Sequence, residues 1–333
     1  MPTRLTPCAE VESLISPRGL KPAAQRKTDL LRRFIEAYWL RPENALWMTL
    51  RGEALSSVPL HRPSIDLSCG DGVFSFLHCG GRFDPAFDVF TSVAGLDRRQ
   101  SERGDMFDHV RDDYRPPIVC RPTESIDVGT DCKSSMLAKA DRLRFYDRLV
   151  EHDHNHPLPF GDETFETVYC NAAYWVTNID EFLSEIRRIT RPGGTIILQV
   201  KLESMRRYTL SAYEAALGRR FLEIIGRGRL ECWPTLADRS TWESRFARGG
   251  LTIKGATPFV TATHAHLWDI GLRPIAPLLV RMANGLTPAT RNAIKADWVE
   301  LFCELLEPFC DPALDLLPAG DEPAEIQYVL QAY

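Results

Sequence analysis

The sequence predicts an α/β fold built on a doubly wound, mainly parallel sheet. Three observations support this prediction. Short apolar segments typical of strands alternate with amphipathic segments typical of helices between residues 126 and 201. A glycine-containing turn joins a strand-like segment to a helical one within 64–77, and an acidic residue ends a strand that would lie beside it. Strands that alternate with helices form parallel sheets covered on both faces.

Composition restricts the classes of protein to which the chain can belong. The 333 residues include 44% hydrophobic residues, enough for a large core, and carry a net charge of −5 without a block of basic residues. This charge argues against a nucleic-acid partner, which normally requires a basic surface. Nine cysteines are scattered without a CxxC pair, so we expect reduced thiols in a cytoplasmic protein rather than disulfides or a structural zinc site.

Two regions bear on targeting and on membrane insertion. The N-terminus has no continuous apolar core, which argues against a signal peptide. The longest apolar stretch, residues 267–286, is interrupted by Asp269, Arg273 and Arg281, and this predicts no membrane span.

Outside the alternating region, the sequence indicates helical additions to the sheet. Residues 22–50 repeat apolar side chains at the helical period, and we assign 1–60 to an N-terminal helical cover. Residues 82–126 are rich in Asp, Arg and Pro without a sustained period, which indicates an insertion in a domain that spans 61–333. Residues from about 264 to 320 predict a helical lid before a last strand, "AEIQYVLQAY".

Within the alternating region, the elements follow one another closely. Ile126–Thr130 is predicted to be a strand, Lys133–Leu143 a helix and Leu149–His152 the next strand. "ETVYCNAAYWV" is a further strand that ends in a loop, "IDEFLSEIRRITR" an amphipathic helix, and "TIILQV" a strand that follows a Pro-Gly-Gly turn.

The glycine-containing turn, Asp66-Leu-Ser-Cys-Gly70-Asp-Gly72, is the first candidate binding motif. Glycines at a strand-to-helix turn allow the backbone to approach a ligand closely. The dinucleotide-binding fingerprint is incomplete, because Ser68 and Ser75 occupy two of its glycine positions. A nicotinamide-dependent oxidoreductase is therefore a weaker alternative.

An acid at the end of the neighbouring strand is the second candidate. In a doubly wound sheet, a carboxylate at that position can accept hydrogen bonds from ribose hydroxyls. Asp97 comes sooner after the glycines, but Asp131 ends a clean strand and is followed at once by a helix. We choose Asp131, which requires the long insertion before it, an addition that loops tolerate well.

The segment "EHDHNHPLPFGDETF" at 151–165 places three histidines close to two acids. A metal site would need converging ligands, and Pro157 and Pro159 end the strand that could align them. We interpret Asp153 and His154 instead as neighbours of a nucleotide base, because a carboxylate can accept from an exocyclic amine while a backbone N–H meets a ring nitrogen. No metal is predicted.

Four successive segments, "DLSCGDG", "VGTDCKSSMLAKA", "HDHNHPLPFGDETFETVYCNAAYWV" and "FLSEIRRITRPGGTIILQV", resemble motifs of class I S-adenosylmethionine-dependent methyltransferases. The resemblance covers roughly residues 62–201 apart from the insertion, and it points to the small-molecule branch called methyltransferase domain type 11. It implies a Rossmann-like, seven-stranded sheet, S-adenosylmethionine as cofactor and S-adenosylhomocysteine as product.

The resemblance also implies roles for individual residues. The turn would hold the methionine moiety, Asp131 the ribose, and Asn171 would lie beneath the sulfonium. Cys132 and Met136 would lie near the adenine, whose edge Asp153 and His154 would bracket. The predicted cofactor-binding residues are therefore Asp66, Ser68, Cys69, Gly70, Gly72, Asp131, Cys132, Met136, Asp153, His154 and Asn171.

The sequence says less about the methyl acceptor. We predict a small molecule methylated at oxygen or nitrogen, with His264, His266 and His109 as candidate general bases. Asn171-Ala-Ala-Tyr174 lacks the two prolines of the motif found in exocyclic-amine methyltransferases, and this argues against methylation of an exocyclic amine. A methyltransferase-like binding protein without catalysis is the other alternative, and the surface helices could pack on the core or on a second copy in a homodimer.

Overall fold

The computed structural model describes residues 23–93, 108, 110–226, 233–269, 271–316 and 322–332, with side chains from residue 27 onward. All that follows concerns these residues. Within them, no helix is long and apolar enough to cross a membrane.

A seven-stranded sheet forms the centre of the molecule. Its strands lie in the order β5-β4-β1-β6-β7-β9-β8. The first five positions pair in parallel, and β9 pairs antiparallel with both β7 and β8. The strands are β1 (Ser64–Leu67), β4 (Val128–Asp131), β5 (Arg148–Glu151), β6 (Phe165–Cys170), β7 (Thr190–Lys201), β8 (Leu251–Val260) and β9 (Glu325–Ala332), while β2 (Arg82–Phe83) and β3 (Ile118–Cys120) form a separate two-stranded sheet.

The predicted doubly wound sheet is confirmed, and its strand order locates the binding edge. From β1 the chain passes outward to β4 and β5, then crosses back to β6 on the other side of β1. The carboxyl ends of β1 and β6 therefore flank a switch point, where ligands bind in open α/β sheets. The strand predicted at 126–130 is present as β4, directly beside β1.

Short helices lie between the strands from β1 to β8. In α5, the five buried residues Ile179, Phe182, Leu183, Ile186 and Ile189 recur at the helical period and face the sheet. The connecting helices are α3 (Val73–His78), α4 (Ser134–Leu143), α5 (Ile179–Ile189), α6 (Ser204–Arg207), α7 (Glu214–Leu217), α8 (Arg219–Gly226) and α9 (Arg239–Arg248).

The N-terminal helical segment consists of two helices, α1 (Ala23–Tyr38) and α2 (Pro42–Leu55). Proline at the first position of α2 cannot donate the hydrogen bond that would continue α1, and a break at this point follows. Phe34 of α1 stacks on Phe74 of α3, with ring centroids 5.7 Å apart. Both helices thus contribute to the same core as the elements that follow β1.

The inserted residues after β1 carry little regular structure in their described part. β2 and β3 pair antiparallel, and a 3₁₀ turn covers Val89–Ser92. Asp97 and the candidate base His109 lie outside the described residues.

Three helices follow β8: α10 (Ala262–Asp269), α11 (Ala276–Asn284) and α12 (Pro288–Leu306). Thr287 caps α12, with its hydroxyl oxygen accepting from the Thr290 backbone N–H, and Pro288 occupies the first turn. α12 packs against α1, so the last helices and the first ones meet.

Candidate functional site

The loop after β1 turns sharply at the carboxyl edge of the sheet. Ser68, Gly70 and Gly72 all have positive φ values, 64°, 59° and 75°. Glycine adopts this conformation without cost, whereas a non-glycine residue such as Ser68 does so at a cost of about 1 kcal/mol or more. The serine that departs from the dinucleotide fingerprint therefore keeps the backbone shape that a glycine would give.

The two glycines of this loop serve different purposes. A Cβ at Gly72 would lie 3.0 Å from the Tyr146 ring and 3.2 Å from Leu143, so this position is close-packed against α4 and the following loop. A Cβ at Gly70 would meet no atom within 4 Å. Gly70 thus exposes backbone at the sheet edge, which is the feature that a close-approaching ligand requires.

Asp66, one residue before the end of β1, is directed inward rather than toward a ligand. Its Oδ2 accepts hydrogen bonds from the hydroxyls of Ser75 (2.5 Å) and Tyr146 (2.7 Å), and the residue is 1% exposed. Burial raises the pKa of Asp66 to about 6, although both hydroxyls favour the ionised form. Asp66 therefore stabilises the loop after β1 through its hydrogen bonds to Ser75 and Tyr146.

Asp131 ends β4 and is half-buried beside the loop. Its Oδ2 accepts from the Gly70 backbone N–H at 3.1 Å, and its Oδ1 accepts from the Lys133 backbone N–H at 2.9 Å. Burial raises the pKa of Asp131 above the ordinary value in spite of these donors. Each carboxylate oxygen retains further acceptor capacity, so the group can still receive ribose hydroxyls.

His154 connects the ends of three elements. Its Nδ1 lies 3.0 Å from the Ser68 hydroxyl, its Nε2 lies 2.9 Å from the Thr130 hydroxyl, and its ring stacks on Phe182. Burial lowers the pKa of His154 to about 4, so the imidazole is neutral near pH 7. The side chain thus holds the strained Ser68 turn, and the adenine contact predicted for this residue stays a prediction.

The other predicted adenine contacts lie nearer the surface. Asp153 is exposed, and its Oδ1 accepts from the backbone and side-chain amides of Asn155. Cys132 is exposed and Met136 half-buried at the start of α4. Together with Asp131 they lie along the carboxyl ends of β4 and β5, the positions at which the resemblance predicts the nucleoside.

Asn171, just beyond β6, joins this edge to a buried polar chain. Its Nδ2 donates to the Tyr169 hydroxyl, which donates to Gln199 on β7; both distances are 3.1 Å. Gln199 donates in turn to Gln327 on β9 at 2.8 Å. The loop predicted beneath the sulfonium is therefore held by hydrogen bonds that cross the sheet.

A charged cluster at the end of β7 was not predicted from the sequence. The Lys201 ammonium forms an ion pair with Glu325, which also pairs with Arg51 at 2.9 Å. Burial opposes the charge of Glu325, but the two cations outweigh it and hold the pKa of that carboxyl below its ordinary value. The signal in the sequence was faint, since a lysine at a strand end is usually a surface residue.

Three aromatic rings surround the same ammonium. Lys201 Nζ lies 4.2 Å from the ring centroid of Trp47, 4.8 Å from that of Tyr174 and 5.7 Å from that of Trp268. Tyr174 follows Asn171 in the loop after β6, so this cluster adjoins the predicted sulfonium end. We call Lys201, Glu325, Arg51, Trp47, Tyr174 and Trp268 the Lys201 cluster.

The structure argues against a proton-transfer role for His264. Its Nδ1 accepts from the Thr261 backbone N–H at 3.1 Å, its Nε2 lies 2.9 Å from the Phe309 carbonyl oxygen, and it is 1% exposed. Both ring nitrogens are thus engaged in holding the start of α10 to the segment after α12. His266 is half-buried on α10.

The histidines of the 151–156 segment do not converge. His152 Nε2 faces the His156 carbonyl oxygen at 3.2 Å, whereas His154 is turned inward. In the described part of the chain, no three His, Cys, Asp or Glu side chains are grouped as metal ligands would be.

Comparison with known proteins agrees with this geometry. The model of a family described as "Methyltransferase domain" matches residues 121–198. These residues run from the approach to β4 almost to the end of β7, and include Asp131, His154 and Asn171.

One curated relative and two solved structures illustrate the similarity. Malonyl-[acyl-carrier protein] O-methyltransferase of Pectobacterium atrosepticum is 37% identical over 70 residues, which are 21% of this chain and 27% of that protein. This chain therefore matches only about a quarter of that relative's length. A possible histamine N-methyltransferase from Thermotoga maritima aligns at 11% identity and a TM-score of 0.47, covering 92% of this chain and 100% of the other. A geranyl diphosphate C-methyltransferase from Streptomyces coelicolor aligns at 10% identity and a TM-score of 0.42, covering 88% and 84%.

The family match and the sheet topology both support the methyltransferase resemblance. Residues 121–198 match a methyltransferase domain, and they lie within a Rossmann-like, doubly wound sheet of seven strands. The predicted resemblance to a methyltransferase domain is thus confirmed over residues 121–198.

Proposed function

We propose that this protein transfers a methyl group from S-adenosylmethionine to a small-molecule acceptor at oxygen or nitrogen. The observation that carries the proposal is the open backbone at Gly70, bonded to the Asp131 carboxylate at the switch point of a methyltransferase fold. The name of the Pectobacterium relative, an O-methyltransferase, supports oxygen as the acceptor atom.

The residues of this edge fit the cofactor in charge and shape. Open backbone around Gly70 would receive the amino-acid part, and the acceptor capacity of Asp131 would receive the ribose hydroxyls. When bound, the cofactor supplies an activated methyl group on a sulfonium. The protein then mainly aligns donor and acceptor and excludes water. Alignment alone can lower the activation barrier by roughly 7–11 kcal/mol.

Calorimetric titration with S-adenosylhomocysteine tests this proposal. We expect binding to the wild-type protein and a loss of roughly ten- to a hundred-fold in affinity for Asp131→Ala, because hydrogen bonds to a charged group contribute about 1.5–3 kcal/mol. Asp127→Ala is the matched control. Asp127 lies just before the same strand, at its opposite end, and bonds Arg62 and the Ser64 backbone N–H.

The two variants separate a cofactor role from a structural one. If Asp127→Ala weakened binding as much as Asp131→Ala, the effect would reflect strand stability rather than ribose contact. If the folded wild-type protein bound no S-adenosylhomocysteine, the proposal would be wrong. If the wild-type protein does bind, a second assay separates an enzyme from a non-catalytic binding protein. It measures transfer of isotope-labelled methyl from the cofactor to a pool of small acids, phenols and amines.

A further inference from the structure

The Lys201 cluster contains an imbalance of buried charge. Lys201 and Arg51 supply two positive charges, while Glu325 supplies one negative charge. Lys201 is 3% exposed and Glu325 is fully buried, so solvent does little to screen the excess. A net charge in such a place is costly unless a counter-charge arrives or the lysine loses its proton.

The largest effects on the pKa of Lys201 agree with this excess of positive charge. Burial lowers the pKa of Lys201, Glu325 and Tyr174 raise it, and Arg51 lowers it, with burial the largest of these effects. The aromatic rings of Trp47, Tyr174 and Trp268 favour an ammonium by their π faces but contribute no full negative charge.

The cluster lies where a methyl acceptor would have to be. β7 is two strands from β1 in the sheet order, which corresponds to roughly 10 Å across the sheet. Tyr174 belongs to the loop after β6, between these two strands, and it is half-buried, as is Arg51. The positive excess therefore lies on the same edge as the Gly70 loop, on the side away from the predicted nucleoside.

From this juxtaposition we infer that the acceptor is a carboxylate, with the Lys201 ammonium as its counter-ion on the side of the half-buried Tyr174 and Arg51. The inference rests on the proposed function and specifies its substrate class. A carboxylate is ionised at neutral pH and would restore charge balance in the cluster. Lys201 is thus a specificity-determining residue.

The chemistry balances without a general base. A carboxylate oxygen forms a bond to the methyl carbon while the carbon–sulfur bond breaks, and the electron pair of that bond stays on sulfur. The carboxylate becomes a neutral ester and the sulfonium a neutral thioether, with no proton transferred. The ester no longer pairs with Lys201, which favours its release.

The test uses benzoate as the probe, because it presents a carboxylate on an aromatic ring that the half-buried Tyr174 can contact. Ligand-observed NMR would measure its binding to the protein saturated with S-adenosylhomocysteine, beside the neutral isostere benzamide. We expect benzoate to bind at least ten-fold more tightly than benzamide. In Lys201→Met we expect at least a ten-fold loss for benzoate alone, and in Lys201→Arg near-wild-type binding.

Two controls make the result decisive. Lys201→Met leaves the Arg51–Glu325 pair balanced, so we expect this variant to fold and to bind S-adenosylhomocysteine as the wild type does. Lys254→Met removes an exposed lysine of β8 and should leave benzoate binding unchanged. Equal binding of benzoate and benzamide, no benzoate binding up to millimolar concentrations, or an unchanged affinity in Lys201→Met would each overturn the inference. If the wild-type protein bound benzoate but no S-adenosylhomocysteine, that result would instead contradict the proposed function.

Discussion

At the scale of single residues, His154 shows how one buried imidazole can hold the loop after β1 against β4 and α5. The imidazole satisfies the hydroxyls of Ser68 and Thr130 and stacks on Phe182. Its neutral form is the one that fits, because burial lowers its pKa to about 4. Protonation of this ring should therefore loosen the Ser68 turn.

The pH dependence of stability follows from this shift. The unfolded ring titrates near its ordinary value of 6.5, so the unfolded chain binds the proton first as the pH falls. Stability contributed by His154 is present above pH 6.5 and lost between pH 6.5 and about 4, by an amount on the order of 3 kcal/mol. Urea unfolding of wild type and His154→Gln across this range would measure it.

The glutamine variant can hydrogen-bond both hydroxyls but does not titrate there. We expect its free energy of unfolding to fall less than that of the wild type between pH 7 and pH 4. Parallel curves for the two proteins would show that His154 is protonated in the folded state and that its burial costs little. Asp66 acts in the opposite direction, since its raised pKa adds stability as the pH falls through about 6, and it is present in both proteins.

At the scale of elements, the loop between β1 and α3 is defined by two glycines whose surroundings differ. Both have positive φ, but only Gly72 is packed against other residues, with Tyr146, Leu143 and Ala140 all within 3.3 Å of a Cβ. Alanine at Gly70 would meet conformational strain alone.

Substitution of each glycine should separate strain from packing. We expect Gly70→Ala to cost about 1 kcal/mol from its left-handed backbone alone. Gly72→Ala adds a steric conflict to the same strain, so we expect a total of about 2–4 kcal/mol. Chemical denaturation of both variants would give the difference, and equal losses would mean that Tyr146 moves aside freely. For binding we expect the reverse order, with Gly70→Ala reducing affinity for S-adenosylhomocysteine more.

The elements that could be predicted are those whose signal is local. The strand at β4, the helix that follows it and the turn at Gly70–Gly72 each depend on residues adjacent in sequence, and each was found close to the predicted bounds. Asp131 could be chosen over Asp97 because a strand and a helix border it directly. The Lys201 cluster could not be predicted from the sequence, because Trp47, Tyr174 and Glu325 meet only through the fold. Trp47 and Glu325 are separated by 278 positions. The contacts of His264 could not be predicted for the same reason, since its partner Phe309 lies 45 residues away.

At the scale of the whole molecule, the N-terminal helices, the inserted segment and the last helices join through one buried carboxylate. Asp88 is fully buried and accepts hydrogen bonds from Trp39 Nε1 at 2.9 Å and from the Arg291 guanidinium at 2.8 Å through both carboxylate oxygens. Arg291 also donates to Asn284, whose amide donates to the Phe90 carbonyl oxygen. Segments distant in sequence thus meet at one buried ion pair, Asp88–Arg291.

Removing this charge should weaken the whole assembly of helices around the sheet. In Asp88→Asn the Arg291 guanidinium would remain buried without its counter-charge, and we expect a loss of about 3–5 kcal/mol in the free energy of unfolding. Glu300→Gln is the matched control, because Glu300 pairs with Arg32 and also joins α12 to α1, but at the surface. Exposed pairs contribute about 0–1 kcal/mol, so this variant should unfold almost as the wild type does.

Urea denaturation with hydrogen exchange would locate the change: we expect faster exchange in both α1 and α12 for Asp88→Asn. If exchange quickened in α12 alone, Asp88 would anchor one helix rather than join the two ends of the chain.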